Sequence, residues 1–143
     1  MNLNGICLKG FSSENPFSFT NLLDYKFAGV YFIIKHHDNG DKEIIKIGES
    51  NFIIRRIANY LDVNYNTNNK NTTTKKRIQC ELRTNTKTNY SVTWRLSEDD
   101  NARKKEEKEL IKEFIRLNKY NAPLLNKEKW IAKYIARIKT TKT

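Results

Sequence analysis

The chain has 143 residues, a formal net charge of +11 and two cysteines, which predicts a single domain with a modest core and a polyanionic partner. It contains no apolar run of about 18 residues that would span a membrane, and no charged start followed by an apolar block that would direct secretion. Cys7 and Cys80 lie far apart without CxxC spacing, which argues against a zinc site and fits a reducing compartment, so we expect a soluble, cytoplasmic protein.

A β-hairpin is the first strong signal along the chain. The residues before it, 1–26, mix polar and apolar side chains. We predict that they form an N-terminal arm or a short helix that lies against the sheet. Two β-rich apolar runs, 28–34 and 43–49, flank a loop that contains Asn39 and Gly40. Asn-Gly favours a type I′ turn, which needs positive φ at both central residues.

The register of this hairpin brings two polar side chains together. With the turn centred on Asn-Gly, Tyr31 faces Gly48 and Ile33 faces Lys46, because paired residues of antiparallel strands share a face. Tyr31 and Lys46 are therefore predicted to be diagonal neighbours on one face of the sheet. A tyrosine and a lysine so placed, followed by paired arginines, suit the handling of a phosphate.

A helix and a polar insert are predicted after the hairpin. Ser50 is placed to cap a helix over residues 52–61, whose apolar residues have helical spacing and which carries Arg55 and Arg56. Residues 62–77 are rich in Asn, Thr and Lys and lack apolar periodicity, so they are predicted to be a basic loop or flexible insert.

The last third of the chain adds a strand and two helices. Alternation over residues 90–96 predicts a half-buried strand. Ser97, Asp99 or Asp100 can cap the next helix, and a final helix is predicted after Pro123. The apolar stripe of the first helix has four members, Leu110, Ile111, Phe114 and Ile115. The expected fold class is α+β, with a three-stranded antiparallel sheet flanked by helices.

One carboxylate on the first of these helices is singled out by direction. At about 100° per residue, the centre of the apolar stripe coincides with Glu107, whereas Glu106, Glu109 and Glu113 are turned away from it. A carboxylate in an apolar stripe is costly unless it is paired or bound to a cation. The two interpretations are a buried ion pair and a metal ligand.

These pieces, taken in order, resemble the GIY-YIG nuclease family. Gly29-Val30-Tyr31 stands where the family has Gly-Ile-Tyr, and Lys46-Ile47-Gly48 stands where it has Tyr-Ile-Gly. Arg56, eight residues further on, matches the family's arginine. Residues 107–111 resemble its Glu-x-x-Leu-Ile helix, and residues 123–126 resemble its closing Pro-x-x-Asn. The departure is the lysine in place of the second tyrosine, which is closer to the restriction-enzyme branch than to the repair branch.

The resemblance implies a domain organisation. A nuclease domain would extend over residues 27–126, with the arm at 1–26 before it and the basic insert at 62–77 within it. A C-terminal helix and basic tail at 127–143 would follow.

The resemblance also implies a mechanism. Glu107 would hold one Mg²⁺ or Mn²⁺ per active site. Tyr31 would accept a proton from the attacking water; because a phenol has a pKa of about 10, Lys46 would supply the nearby cation that lowers it. Arg56 would stabilise negative charge on the phosphate. Asn126 would either fix the catalytic elements by hydrogen bonds or cap the last helix. The products would carry 5′-phosphate and 3′-hydroxyl ends.

Nucleic-acid contacts are predicted on the helix after the hairpin and on the insert. The candidates are Arg55, Tyr60, Lys70, Lys75, Lys76 and Arg77. Tyr60 could equally fill the core, and the insert could equally be a solvated loop. The expected partner is double-stranded DNA, and cutting both strands with one site per chain predicts a homodimer, at least on DNA.

The preferred function is that of a type II restriction endonuclease, because the chain is small and shows no separate DNA-binding module. The alternatives are a repair or structure-specific nuclease, a non-catalytic nucleic-acid-binding module, and a structural protein that is basic only through codon bias. Lys46 in place of tyrosine favours the binding module. The retained Tyr31, Arg56, Glu107 and Asn126 argue against it.

Overall fold

An antiparallel β-sheet with helices on both faces forms the body of the protein. The structure is a computed structural model that describes residues 2–16, 26–61, 76, 80 and 89–141. In chain order the elements are β1 (Asn2–Leu3), β2 (Ile6–Cys7), β3 (Asn15–Pro16), β4 (Gly29–His36), β5 (Lys42–Ser50), α1 (Ile53–Leu61), β6 (Asn89–Leu96), α2 (Asp100–Leu117) and α3 (Lys129–Thr141). The predicted small α+β fold is confirmed.

Strand β4 is the centre of the sheet. It pairs antiparallel with β5 on one side and with β6 on the other, which confirms the predicted three-stranded sheet. The two-residue strand β3 adds to the outer edge of β6, so that the full order is β3-β6-β4-β5. Strands β1 and β2 form a separate two-stranded sheet. The described part of the predicted N-terminal arm, residues 2–16, is thus built from short strands and contains no helix.

The loop between β4 and β5 differs from the predicted type I′ turn. His37 N–H donates to the Asp41 carbonyl at 2.8 Å, and Gly40 N–H donates to the His37 carbonyl at 3.0 Å, which closes a three-residue loop. Gly40 has φ of +93°, whereas Asn39 does not have positive φ. The Asn39 side chain instead accepts the Asp41 N–H at 2.9 Å. This Asx contact gives the backbone an alternative to the two-residue turn, so the predicted turn type is wrong.

A β-bulge nevertheless restores the predicted register. Ile34 pairs with Ile44 while Ile33 pairs with Lys46, so Ile45 is an extra residue in β5. This extra residue offsets the extra residue of the loop. Beyond the bulge, the tyrosine–glycine pair forms as predicted.

The sheet is buried on both faces by two apolar clusters. On one face, Val30 and Phe32 of β4 pack with α2, α3 and the buried Ile6 of β2. On the other face, Tyr31 and Ile33 pack with α1 and β6. Because neighbouring residues of a strand point to opposite faces, α1 and α2 lie on opposite sides of the sheet.

Helix α2 begins and packs largely as predicted. Asp99, one of the three predicted caps, is the N-cap, and its carboxylate accepts the Ala102 N–H at 2.7 Å. All four residues of the predicted apolar stripe are buried. The prediction for α1 needs a correction, because Ser50 accepts the N–H of Phe52 at 3.0 Å, just ahead of the helix, and is not its N-cap.

Within residues 2–16, 26–61 and 89–141, we find no helix that combines the length and the apolar character needed to cross a membrane.

Candidate active site

Lys46 of β5 is the most unusual residue of the predicted site, because it is a buried lysine. Its side chain is 7% exposed, and its Nζ lies 3.4 Å from Oε1 of Glu128, just ahead of α3. It pairs with Ile33 and therefore shares the face of Tyr31, as predicted. A buried ammonium group is tolerated only where an anion or a hydrogen-bond acceptor offsets its lost hydration. Glu128 provides that partner.

Asn126 holds the outer edge of β5. Its Oδ1 accepts the Ile47 N–H at 2.8 Å, and its Nδ2 donates to the Ile47 carbonyl at 2.9 Å. The same Nδ2 donates to Glu128 at 3.0 Å. The side chain is 2% exposed and takes the place of a neighbouring strand at this edge. Of the two predicted roles, the hydrogen bonds correspond to fixing the strand between Lys46 and Gly48.

Glu107 lies half-buried on α2, beside β5. Burial raises its pKa to about 7, although nearby Lys46 and a hydrogen bond from the Glu49 backbone act to lower it. The carboxylates of Glu49 and Glu128 contribute to the rise by repulsion. Two other glutamates of this helix lie elsewhere, since Glu106 pairs with Arg95 and the exposed Glu109 lies near Lys112. Glu107 therefore points toward the sheet, as its place in the apolar stripe of α2 predicts.

A buried ion pair sets the position of α2 against β5. Arg103 is 3% exposed, and its Nε donates to Oε2 of Glu49 at 2.7 Å. Its guanidinium also contacts Asp100. The bond to Glu49 is the main cause of the raised pKa of Arg103. Arg103 is one helical turn ahead of Glu107, so this pair fixes the turn from which Glu107 projects.

Tyr31 lies in the core over Gly48. An added Cβ at Gly48 would lie 2.4 Å from the Tyr31 hydroxyl oxygen, so only glycine leaves room for the ring. Tyr31 is 1% exposed. The tyrosine is therefore held firmly opposite the glycine, in a position that also suits a simple core residue.

The arginines of α1 lie on the same side of the sheet as Tyr31. Both are exposed, and the guanidinium of Arg55 lies 4.7 Å from the ring centroid of Phe52. Arg56 begins the hydrogen bonding of the helix through its N–H to the Phe52 carbonyl. Of the other predicted nucleic-acid contacts, Lys76 is exposed. The side chain of Tyr60 and the residues Lys70, Lys75 and Arg77 lie outside the described part of the structure.

The site is wrapped around strand β5. Lys46 and Tyr31 belong to one face of the sheet, Glu107 approaches from the other, and Asn126 and Glu128 close the edge between them. Lys46 connects Glu107 and Glu128, because its charge acts to lower the pKa of Glu107 while its Nζ contacts the Glu128 carboxylate.

Three members of this arrangement were missed from the sequence. They are Glu49, Arg103 and Glu128. The sequence does contain a pattern that indicates Arg103, because this residue precedes Glu107 by four positions and so lies on the same face of the helix. No local pattern marks Glu128, since its partner Lys46 is 82 residues away.

The fit of a divalent cation depends on Glu107. Among the residues that the structure describes, no group of three or more His, Cys, Asp or Glu side chains is close enough to hold a metal by itself. Mg²⁺ does not require such a cage, because it is commonly held by one or two carboxylates together with substrate phosphates and water. A half-buried carboxylate with few fixed partners suits that kind of binding.

Comparison of the chain with protein-family models, with curated proteins and with solved structures found no match.

Proposed function

We propose that the protein is a metal-dependent DNA endonuclease of the GIY-YIG type that hydrolyses phosphodiester bonds. The observation that carries this proposal is that the half-buried Glu107 lies within electrostatic range of the buried Lys46 at β5. A half-buried carboxylate near a buried lysine is costly without a further partner, and groups with shifted pKa values of this kind are concentrated at functional sites.

The chemistry of these two groups suits a phosphate. Lys46 offers a positive charge in a poorly solvated place, where its attraction to a phosphate oxygen is strong. Glu107 would hold Mg²⁺ or Mn²⁺, because a bound cation would offset the cost of keeping this half-buried carboxylate ionised. When bound, the ion would stabilise charge on the phosphate and on the leaving 3′ oxygen.

The remaining residues have supporting roles in the proposal. Tyr31 lies on the opposite face of the sheet from Glu107, so in this proposal the phosphate would lie at the β5 edge that both faces share, and Tyr31 would accept the proton of the attacking water. Arg56, exposed on α1 at the face of Tyr31, would stabilise the charge of the transition state. Asn126 would act as a positioning residue, because it fixes the β5 backbone between Lys46 and Gly48.

We infer the role of a type II restriction endonuclease that acts on double-stranded DNA in the cytoplasm, as a homodimer at least on DNA. The basis is the resemblance of the Lys46 segment to the restriction-enzyme branch and the net charge of +11. A repair or structure-specific nuclease would use the same site chemistry on a different substrate.

One observation favours a second candidate, a non-catalytic nucleic-acid-binding module. Tyr31 is 1% exposed, whereas a general base must come within hydrogen-bond distance of its water. A core tyrosine packed on Gly48 would serve such a module equally well.

The test is cleavage of supercoiled plasmid and of mixed genomic DNA with Mg²⁺, Mn²⁺ or EDTA. We compare the wild type with Glu107→Gln, Lys46→Met and Tyr31→Phe, and use Glu109→Gln, an exposed neighbour on α2, as the matched control. We expect discrete fragments that need the metal, and a loss of rate of about 10²-fold or more in Glu107→Gln. Glu109→Gln should cleave like the wild type.

The other outcomes separate the alternatives. Cuts confined to branched or damaged DNA would indicate a repair nuclease. DNA binding by a folded wild type that never cuts would contradict the nuclease proposal and support the binding module. Cleavage that survives in Glu107→Gln would remove Glu107 from the mechanism.

A further inference from the structure

A groove between α2 and α3 is lined by cations around an aromatic floor. It encloses about 300 Å³. Its lining consists of Lys108 and Lys112 from α2 and of Trp130, Lys133, Tyr134 and Arg137 from α3. None of the sequence predictions included these residues among the contacts to nucleic acid.

The cations come from two helical rows. On α2, basic residues recur every four positions at Lys104, Lys108, Lys112 and Arg116, and on α3 they recur at Lys129, Lys133 and Arg137. Residues four apart are neighbours on a helix surface, and like charges so placed repel each other. Four members of these rows, Lys108, Lys112, Lys133 and Arg137, line the groove, and an anion between the helices would relieve their mutual repulsion.

The aromatic rings hold the cations at the groove. Nζ of Lys108 lies 5.2 Å from the ring centroid of Trp130, and Nζ of Lys112 lies 5.4 Å from that of Tyr134. The guanidinium of Arg137 lies 5.7 Å from the Tyr134 ring on which Lys112 also sits. Such cation–π contacts orient the long side chains of Lys108 and Lys112 toward the groove.

Acidic groups do little to neutralise this surface. None of the described residues that line the groove is acidic, and the sequence of α3 contains no Asp or Glu. Lys112 lies 3.8 Å from Glu109, but that carboxylate is 58% exposed, and a long pair at the surface contributes little. Lys108 and Lys133 therefore add positive charge to the groove that no acidic residue of the described lining offsets.

We propose that this groove binds the phosphodiester backbone of a polynucleotide, as a contact separate from the candidate active site. Its two α2 lysines, Lys108 and Lys112, lie about 100° or more around that helix from Glu107, so one strand segment could occupy the groove while another meets β5. Charge attracts the phosphates, and the partly exposed Trp130 offers a surface for a sugar or base. The proposal concerns binding alone and does not depend on catalysis.

The test measures DNA affinity without cleavage. A fluorescently labelled 30-mer, as duplex and as single strand, is titrated in EDTA at several salt concentrations and followed by anisotropy. The groove variant is Lys108→Glu with Lys133→Glu. The matched control is Lys9→Glu with Lys105→Glu, which makes the same change in net charge at exposed residues outside the groove.

We expect the groove variant to bind about tenfold or more weakly than the control, with a slope of log affinity against log salt reduced by about two. The two labelled substrates then distinguish a duplex backbone from a single strand. In a Trp94→Phe background, Trp130 should report binding by a change of fluorescence that the groove substitutions remove.

Equal weakening in the groove variant and the control would overturn the proposal, because it would show only a response to net charge. Binding of heparin or polyglutamate as tight as that of DNA would also overturn it, in favour of a general anion surface. Thermal unfolding shows whether each variant is folded. If the variant with Lys108→Glu and Lys133→Glu is unfolded, the variant with Lys108→Gln and Lys133→Gln takes its place. Plasmid cleavage by the groove variant, measured separately, distinguishes a failure here from a failure of the nuclease proposal.

Discussion

At the scale of single residues, the state of Glu107 is set by competition between burial and one cation. Burial raises its pKa from 4.5 to about 7, and Lys46 only partly opposes the rise. Lys46 is itself engaged with Glu128 at 3.4 Å. The ionised carboxylate is therefore only partly compensated, and a further cation there, as we propose, would complete the compensation.

Substitution of Glu107 by Gln is expected to stabilise the metal-free protein at high pH. Between pH 4.5 and about 7 the folded state keeps a proton that the unfolded state releases, so stability falls as the pH rises through that window. Glutamine removes this loss, and we expect a gain of about 1 to 3 kcal/mol in the free energy of unfolding at pH 8. The measurement is urea denaturation in EDTA at pH 4 and pH 8.

Little difference between Glu107→Gln and the wild type is expected at pH 4, where the carboxyl group is protonated in both states. Glu109→Gln is the control, because that side chain is 58% exposed. A clear destabilisation by Glu107→Gln at pH 8 would mean that its attraction to Lys46 outweighs the cost of burial, as in a structural ion pair.

At the scale of elements, the edge strand β5 depends on side chains that take the place of a sheet neighbour. Leu125 N–H donates to the carbonyl of the bulge residue Ile45 at 2.8 Å, and the Asn126 amide pairs with both backbone groups of Ile47. These bonds satisfy an edge that would otherwise present open donors and acceptors. They also hold Lys46 between two fixed points.

The Asn126→Asp variant is expected to unfold much more easily than the wild type. The aspartate keeps the acceptor for Ile47 N–H but loses the donor, and its charge faces the Ile47 carbonyl and the Glu128 carboxylate. We expect a loss of about 3 kcal/mol in the free energy of unfolding at pH 8. Because protonation restores a donor, the loss should shrink toward pH 4, as measured by denaturant titration at both values.

Asn121→Asp serves as the control for this prediction, because Asn121 is exposed. An Asn126→Asp variant as stable as the wild type at pH 8 would show that the hydrogen bonds at the β5 edge contribute little.

At the scale of the whole molecule, the N-terminal segment is part of the main body. Ile6 of β2 is fully buried and packs in one cluster with β4, β5, α2 and α3. Glu14 contacts His36, Lys42 and Ser91. Residues 2–16 therefore complete one face of the sheet with short strands, where the sequence predicted an arm or a short helix against the sheet.

Replacement of Ile6 by Ala is expected to destabilise the whole protein by about 2 to 4 kcal/mol, because it leaves a cavity in the shared core. Leu124→Ala, at a residue that is 49% exposed, should change the stability by less than about 0.5 kcal/mol. Cooperative urea unfolding followed by circular dichroism measures both. A loss below about 1 kcal/mol for Ile6→Ala would mean that the segment packs independently of the core.

Much of the fold followed from local patterns. Alternation identified β6, and helical periodicity identified the buried face of α2 and the direction of Glu107. The hairpin register was also predicted, since Tyr31 faces Gly48. The turn type was predicted wrongly, because the Asn39 side chain accepts a hydrogen bond from its own loop. The bulge at Ile45 then restores the register.

The sequence therefore predicted the longer strands and helices, the pairing of the hairpin and the residues that point inward, because these depend on periodicities within a few residues. The two-residue strands β1, β2 and β3 are too short to show such a periodicity and were not predicted. Only the tertiary structure decided which charges meet. Lys46 contacts Glu128 across 82 residues, and Arg103 contacts Glu49 across 54. Such contacts depend on where packed elements bring distant parts of the chain together, and no local spacing encodes that distance.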